Sequence, residues 1–193
     1  MGLHFRTNLA RNYKPPGLSK KRLRWNRLLK TFFLMLLLVV VVGVVGVILP
    51  AHHTVTRKAA FNQSVDEIWQ AITDYPSFPA WRPDLAKVEM ISTTYPVMFR
   101  EIDRFGNGLT YRVVESYARH RYKIEIADEA FPVKGSWTME LHPTAKGCTL
   151  TITEEGTVKN PFIRFFYRVF FKKTATIDQF LKALSWKYGE EAK

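Results

Sequence analysis

Two side chains with complementary acid–base chemistry lie at the ends of predicted strands, on the side that faces the core. His120 continues the alternation of Tyr122 and Ile124, and Glu154 continues that of Ile152. A histidine and a carboxylate that meet in an apolar pocket could act as general base and acid, or could hold the polar end of a ligand. The alternative interpretation is that both lie beyond the edge of the sheet and face water. These two residues are the only catalytic candidates that the sequence offers.

Two arginines are the next candidates. Arg82 follows a run of aromatic residues and prolines and could bind an anionic head group. Arg112 lies in a predicted hairpin, where it faces Glu101 or Asp103 depending on the register of the turn. Because oppositely charged cross-strand pairs stabilise antiparallel sheets, we expect a structural role for Arg112.

The motifs of several enzyme classes are absent from the sequence. It contains no G-x-S-x-G, P-loop, G-x-G-x-x-G or CxxC, and its five histidines lack the helical spacing of zinc ligands. We interpret His52 and His53 as a linker rather than a metal site. The sequence therefore argues against a classical hydrolase, an NTPase and a zinc enzyme, and we expect neither a metal nor a cofactor.

The candidate residues need a scaffold, and its first half is a strand followed by short helices. Residues 53–61 are rich in strand formers, and Ser64 with Glu67 three residues later forms a capping box that begins a helix. The apolar face of this helix is Val65, Ile68, Trp69 and Ile72. Three prolines in residues 76–83 exclude a second long helix, so residues 75–82 are predicted to form a helical turn and a loop.

The second half alternates apolar and polar residues through six short strands from residue 85 to about residue 155. Such a period of two predicts an antiparallel sheet with one face toward water. The other face needs a cover, and residues 160–188 supply one as a long helix with Asn160 as its N-cap and Pro161 at its first position. The order of elements predicts one α+β domain.

The N-terminus predicts a membrane anchor. Residues 1–30 carry nine of the 29 basic residues and no acid, and residues 32–49 are eighteen apolar residues without a charge. Residues 31–50 form a helix of roughly 30 Å, which is long enough to cross a bilayer. A cleaved signal peptide is the alternative, but the basic start and the apolar run are both longer than is usual for one.

The distribution of charge predicts orientation and excludes one class of partner. The excess of cations before the span places residues 1–30 in the cytoplasm as a basic tail and the domain on the extracytoplasmic side. The rest of the chain carries 20 Lys and Arg against 17 Asp and Glu. Because this balance is nearly neutral, we expect no nucleic-acid partner for the domain.

The segments "SVDEIWQAITDYPSFPAWRPDLAKVE", "GSWTMEL", "TLTITEEG" and "NPFIRFF" resemble the SRPBCC superfamily of START-like, birch-allergen-like and polyketide cyclase/dehydrase-like domains. The resemblance covers residues 53–188, and the segment "TITEEGTVKNPFIRFF" is most similar to membrane-anchored members. It implies a helix-grip fold, in which a curved antiparallel sheet wraps a long C-terminal helix around an apolar cavity. A ligand-binding domain over residues 53–190 follows from it.

The resemblance also implies which residues line the cavity. Tyr75, Phe78 and Trp81 would form part of its apolar rim, although aromatic residues there could equally fill the end of the core. The implied cavity residues are Trp69, Phe78, Trp81, Arg82, Tyr111, Tyr122, Trp137, Phe166 and Phe170.

The start of the last helix predicts contact with a membrane. We expect one apolar face, Phe162, Phe166, Val169 and Phe170, to lie toward the sheet. Further aromatic residues then lie beside a row of cations, a pattern typical of a surface that rests on anionic lipid. The predicted membrane contacts are Arg164, Phe165, Arg168, Phe171 and Lys172. A solvated basic face is the alternative.

Two function classes fit these features. The first is a membrane-held module that binds a hydrophobic small molecule or lipid, which requires only a cavity. The second is a cyclase- or dehydratase-like enzyme for a polyketide-like or isoprenoid substrate, which also requires placed acid–base groups. Binding is the favoured prediction, and whether the protein is an enzyme stays open. A structural partner of another membrane protein is a third, weaker interpretation.

Overall fold

The computed structural model describes residues 20–129, 131–170, 172 and 174–190, with side chains from residue 24 onward. The chain divides into two compact units, Met1–Val42 and Gly43–Lys193. Residues 1–19 of the predicted basic tail lie outside the described part.

The first element is a long apolar helix, α1 (Lys20–Ile48). Its segment Arg24–Ile48 is long and apolar enough to cross a membrane, although a signal sequence has the same properties. Most of its large apolar side chains are exposed. It therefore differs from the core helix of a globular domain.

Seven strands form one antiparallel sheet in the order β1-β7-β6-β5-β4-β3-β2. They are β1 (His52–Phe61), β2 (Leu85–Ser92), β3 (Met98–Asp103), β4 (Gly108–Tyr117), β5 (Arg121–Ile126), β6 (Val133–Thr144) and β7 (Gly147–Val158). The first strand pairs with the last, and all other neighbours are consecutive along the chain. Register shifts in β2 and β4 bend the sheet, since bulges increase local twist.

The predicted alternation of the strands is confirmed. Tyr122 and Ile124 of β5, Met139 and Leu141 of β6, and Ile152 of β7 are all buried. They form the inner face of the curved sheet, which lies against the C-terminal helix in the arrangement that a helix grip requires.

A helix and then a short helical turn in two parts follow β1, where the sequence predicted a helix and a helical turn with a loop. Helix α2 (Val65–Thr73) begins at the predicted capping box. The Glu67 N–H donates to the Ser64 hydroxyl at 3.3 Å, and the Ser64 N–H donates to the Glu67 carboxylate at 2.8 Å. A 3₁₀ turn (Tyr75–Ser77) and the four-residue α3 (Phe78–Trp81) come next. Their aromatic residues are buried at one end of the core.

The C-terminal helix is divided, whereas the sequence predicted one continuous helix. Helix α4 (Pro161–Phe170) begins at Asn160, whose side-chain oxygen accepts from the Phe162 N–H at 2.9 Å. Helix α5 (Ala175–Lys187) begins anew. Near its start, Asp178 accepts from the Thr174 hydroxyl at 2.7 Å and pairs with Arg57 of β1 at 2.9 Å. An acidic residue in a first turn favours a new helix at this point.

Helix α5 carries the predicted inner face of the C-terminal segment. Ile177, Phe180, Leu181 and Leu184 are buried. The structure is therefore the predicted α+β helix-grip fold, with the covering helix interrupted between α4 and α5.

One predicted strand pair is wrong. Arg112 lies opposite Glu125 of β5 and donates from Nε to its carboxylate at 3.0 Å. Neither Glu101 nor Asp103 is its partner, because the register of the β3–β4 hairpin places Leu109 opposite Glu101.

Candidate functional site

A cavity of about 270 Å³ is walled by the sheet together with residues of α4 and α5. Most of its wall is apolar or aromatic, and it includes Leu109, Tyr111, Ile124, Ile126, Val133 and Trp137. Its polar side chains, besides the phenol of Tyr111, are His53, Ser136, Glu154, Tyr167 and Thr176. A largely apolar wall with a few converging polar groups is typical of a ligand site.

His53 enters this wall from β1 because a glycine faces it. It lies directly opposite Gly156 of β7. A Cβ atom on Gly156 would lie 2.1 Å from Cε1 and 2.6 Å from Nε2 of His53. Glycine therefore leaves the space that the imidazole ring occupies, and only 5% of the His53 side chain is exposed.

The carboxylate of Glu154 is held by two donors. Nε2 of His53 lies 3.3 Å from Oε1, and Nε1 of Trp137 donates to Oε2 at 2.9 Å. Trp137 reaches it from the opposite position on β6. An ionised carboxylate can only accept hydrogen bonds, so the proton of a neutral His53 lies on Nε2. Nδ1 then carries a lone pair that can accept a proton.

Tyr167 of α4 adds a phenol beside this pair. Its ring centre lies 5.6 Å from that of His53. Burial raises the pKa of Tyr167, and the nearby charge of Glu154 raises it further. The phenol is therefore neutral near pH 7. Imidazole, carboxylate and phenol together could exchange protons with a ligand or hold its polar end.

A smaller chamber of about 50 Å³ adjoins the cavity, and Tyr111, Ile124, Trp137 and Thr176 line both spaces. Here Arg82 contacts Glu101 at 2.5 Å and Asp84 at 2.9 Å. Burial raises the pKa of Glu101, and the charge of Arg82 opposes this rise. Two carboxylates of the chain itself pair with Arg82, and this leaves the contact with an anionic head group that the sequence allowed without support.

Two tyrosine hydroxyl groups form a second polar contact in this chamber. Those of Tyr75 and Tyr122 lie 2.7 Å apart. Burial raises the pKa of both side chains, so both stay neutral and share one hydrogen bond. Arg82, Glu101, Tyr75 and Tyr122 thus satisfy one another or a neighbour within the chain, whereas the 270 Å³ cavity presents polar groups to a space large enough for a ligand.

The nine predicted cavity residues fall into two groups. Five of them, Phe78, Arg82, Tyr111, Tyr122 and Trp137, line the two spaces. Trp81 instead fills the core, with its ring 5.4 Å from Phe78 and 5.5 Å from Phe180. Trp69 contacts the edge of Tyr122. Phe166 and Phe170 are 50% and 68% exposed on α4 and line neither space.

The two catalytic candidates are not brought together. His120 is exposed in the turn before β5 and contacts only the edge of His142 among the described rings. Strand β5 begins at Arg121, one residue too late to carry His120 into the core. Glu154 is in the cavity, but its partner is His53. In the described residues, no three His, Cys, Asp or Glu side chains form a group that could hold a metal ion.

The predicted orientation of α4 is wrong. Phe162, Phe166, Val169 and Phe170, expected to face the sheet, are between 42% and 68% exposed. Arg164 and Arg168, expected to face outward, donate to backbone carbonyls of the chain. The guanidinium groups turn inward because the end of α1 offers carbonyls that lack a helical partner.

Three further residues were predicted to contact a membrane. Phe165 is partly buried. Lys172 is exposed and pairs with Asp178 at 3.0 Å. Phe171 lies outside the described residues.

The sequence contained a signal for His53 that was not used. His53, Val55, Ala59 and Phe61 share one phase of β1, and the last two are buried. Following that phase backward leads to His53, which had been interpreted as part of a linker. Tyr167 gave no such signal, since it is one of five aromatic residues in the ten of α4.

Comparison with known proteins agrees with this fold. The family model described as polyketide cyclase / dehydrase and lipid transport matches residues 52–185. No curated protein matches the chain in sequence.

Several solved structures are similar. Norcoclaurine synthase from Thalictrum flavum aligns with a TM-score of 0.58 at 16% identity, over 71% of this chain and 86% of that one. Protein MLL2253 from Mesorhizobium loti aligns with a TM-score of 0.55 at 18% identity, over 69% of this chain and 95% of that one. The di-domain ARO/CYC StfQ from the steffimycin biosynthetic pathway aligns with a TM-score of 0.57 at 12% identity. The alignment covers 69% of this chain and 50% of StfQ, so this chain spans half of that protein. At such identities the likeness concerns the fold alone. Because the family model covers more than half of its residues, the chain belongs to the polyketide cyclase/dehydrase and lipid transport family of the SRPBCC superfamily.

Proposed function

We propose that residues 53–190 form a domain that binds a small apolar molecule with a polar end, and that α1 holds this domain at a membrane. The observation that carries the proposal is the pair of His53 and Glu154 in the mostly apolar wall of the 270 Å³ cavity. Polar and ionisable groups are costly to bury. Their position on a cavity therefore favours a role toward a ligand that bears a hydroxyl or carbonyl group.

The size of the cavity limits the ligand. Ligand cavities in proteins commonly measure about 300–1,000 Å³, and 270 Å³ lies just below this range. A single ring system or one acyl chain suits this space better than a whole two-chain lipid.

Binding of a fluorescent fatty acid to the amphipol-stabilised full chain tests the proposal. We expect His53→Gln to weaken binding about tenfold, which corresponds to one hydrogen bond near a charged group. The matched control is His120→Gln, because His120 is exposed and lines neither space. Equal affinities for wild type and His53→Gln, with unchanged melting temperatures, would contradict the proposed role of this pair.

A second candidate function is catalysis of a cyclase or dehydratase type. The observation that favours it is the meeting of His53, Glu154 and Tyr167 at one wall of the cavity. In this mechanism Nδ1 of His53 removes a proton next to a carbonyl group of a polyketide-like or isoprenoid substrate, while Tyr167 donates a hydrogen bond to the oxygen. Two of the similar structures are a synthase and a cyclase by name.

Turnover and binding respond differently to His53→Gln. For an enzyme we expect turnover to fall by about 10²–10⁴-fold, the usual loss of a general base, while binding falls only about tenfold. Apolar compounds extracted from the purified full chain and identified by mass spectrometry supply the candidate substrates. If none of them is converted, binding alone remains.

The proposed location follows from charge. The nine cations in residues 1–30 favour a cytoplasmic tail and a domain on the extracytoplasmic side. A hydrophobic small molecule or lipid and the membrane itself are the proposed partners.

A further inference from the structure

Helix α4 exposes an apolar face. Phe162, Phe166, Val169 and Phe170 are 42%, 50%, 57% and 68% exposed. Their spacing of i, i+4, i+7 and i+8 places them on one side of the helix, where the rings of Phe166 and Phe170 stack 5.9 Å apart. No residue of α4 is buried. Most of this face lacks a covering partner among the described residues.

The opposite side of α4 is fixed to the chain where α1 ends. The guanidinium group of Arg164 donates to the carbonyls of Gly46 and Leu49 at 3.1 and 2.9 Å. Arg168 donates to the carbonyl of Pro50 at 3.3 Å. The last carbonyls of a helix lack an internal partner and attract cations, so these contacts hold α4 against the end of α1.

A glycine allows the two backbones to meet. Gly46 is buried, and a Cβ atom there would lie 2.1 Å from the carbonyl oxygen of Pro161. A Cβ atom on Gly43 would lie 3.3 Å from the ring of Phe162. Glycines at these positions therefore let the first turn of α4 rest on the last turns of α1.

From these contacts we propose that α4 is an interfacial helix whose face of Phe162, Phe166, Val169 and Phe170 lies in the bilayer leaflet in which α1 ends. The inference rests on the membrane anchoring proposed above. A span that crosses a bilayer ends at its surface, and α4 is bound within one turn of that end. Three phenylalanines and a valine at this level meet acyl chains instead of water, as in other amphipathic interfacial helices.

Labelling of the full chain in liposomes of phosphatidylcholine and phosphatidylglycerol tests the proposal. Cys148 is the only cysteine and is buried, so the unsubstituted chain is the labelling blank. Phe166→Cys receives an environment-sensitive fluorophore, and lipids with a spin label near the head group act as quenchers. The matched control is Lys146→Cys in the β6–β7 turn, at the other end of the twelve-residue β7, a strand roughly 40 Å long.

We expect the fluorophore at position 166 to be quenched at least severalfold more than the one at position 146. Gly46→Leu should reduce this quenching because it displaces α4, whereas Val45→Leu at the neighbouring exposed position should not. Equal, weak quenching at positions 166 and 146 would overturn the proposal. Strong shielding from water at position 166 without quenching by lipid would also overturn it, since a protein would then cover the face.

A label in α1 separates this inference from the anchoring on which it rests. Val39→Cys lies near the middle of the candidate span, about 15 Å from either head-group layer, so its quenchers are lipids that carry the spin label near the end of the acyl chain. Quenching at position 39 but not at position 166 refutes only the role of α4. An unquenched label at position 39 refutes the anchoring as well. The assay contains no ligand, so failure of the cavity to bind one leaves its outcome unchanged.

Discussion

Substitution of Gly156 by alanine should disable the polar end of the cavity while leaving its apolar wall intact. The new Cβ would lie 2.1 Å from Cε1 of His53, whereas ordinary contacts begin near 3.4 Å. The ring must therefore retreat by about 1.3 Å. Nε2 already lies 3.3 Å from Glu154, and hydrogen bonds are lost beyond about 3.5 Å. A displacement of only about 0.2 Å away from Glu154 takes the contact beyond this limit.

The expected loss is that of one hydrogen bond to a charged group, about 1.5–3 kcal/mol of unfolding free energy. If the same contact also contributes to binding, the affinity for the fluorescent fatty acid should fall about tenfold for each 1.4 kcal/mol of binding free energy that is lost. Denaturant titration of the full chain, followed by tryptophan fluorescence, measures the first quantity. Probe titration measures the second.

Gly135→Ala is the matched control. Gly135 lies opposite Gly156 and lines the same cavity. Its Cβ would meet no atom closer than 3.4 Å, so stability and affinity should stay near those of wild type. Equal effects of the two substitutions, or none from Gly156→Ala, would refute the account of His53.

Three further predictions concern the buried ion pair, the helix cap and the topology. Glu101→Ala should lower the unfolding free energy by about 3 kcal/mol, because it leaves the largely buried Arg82 short of one counter-ion. In the same denaturation assay, Arg112→Ala, which removes an exposed ion pair, should cost less than about 1 kcal/mol. Equal losses for the two substitutions would refute the greater importance of the Arg82–Glu101 pair. Hydrogen bonds from the backbone and hydroxyl of Ser64 lower the pKa of Glu67 below its ordinary value of 4.5, so this group stabilises the fold fully above that value and loses its contribution as the pH falls through the lowered pKa. Melting curves from about pH 6 to about pH 3 should show a smaller acid loss for Glu67→Gln than for wild type. Protease added to intact cells or spheroplasts should digest residues 54–193, and full protection would reverse the proposed orientation.

Local patterns predicted most of the fold. The alternation of apolar and polar residues in β5, β6 and β7 predicted which side of the sheet faces the core. The spacing of Ile68 and Ile72 predicted the buried side of α2. Ser64 with Glu67 located the start of α2. In each case the deciding contacts lie within a few residues along the chain, or follow from a single rule of alternation.

The sequence did not predict the site, because the site depends on contacts between residues that are far apart along the chain. His53 and Glu154 are 101 positions apart, and their meeting requires the pairing of the first strand with the last. Five aromatic residues in the ten of α4 gave this helix several possible inner faces, and the carbonyls at the end of α1 decided between them. The partner of Arg112 likewise depended on strand register, which the turn sequence alone left open.

Photo-crosslinking of the full chain with a diazirine-bearing fatty acid, followed by peptide mapping, tests most directly whether the cavity binds an apolar molecule. We expect adducts in β4, β5 and β6, which contribute Tyr111, Ile124 and Trp137 to the wall. Leu109→Trp, which places a larger side chain in that wall, should abolish them, whereas Phe105→Trp in the exposed β3–β4 turn should not. Adducts confined to α1 and the exposed face of α4, and unaffected by Leu109→Trp, would contradict the claim.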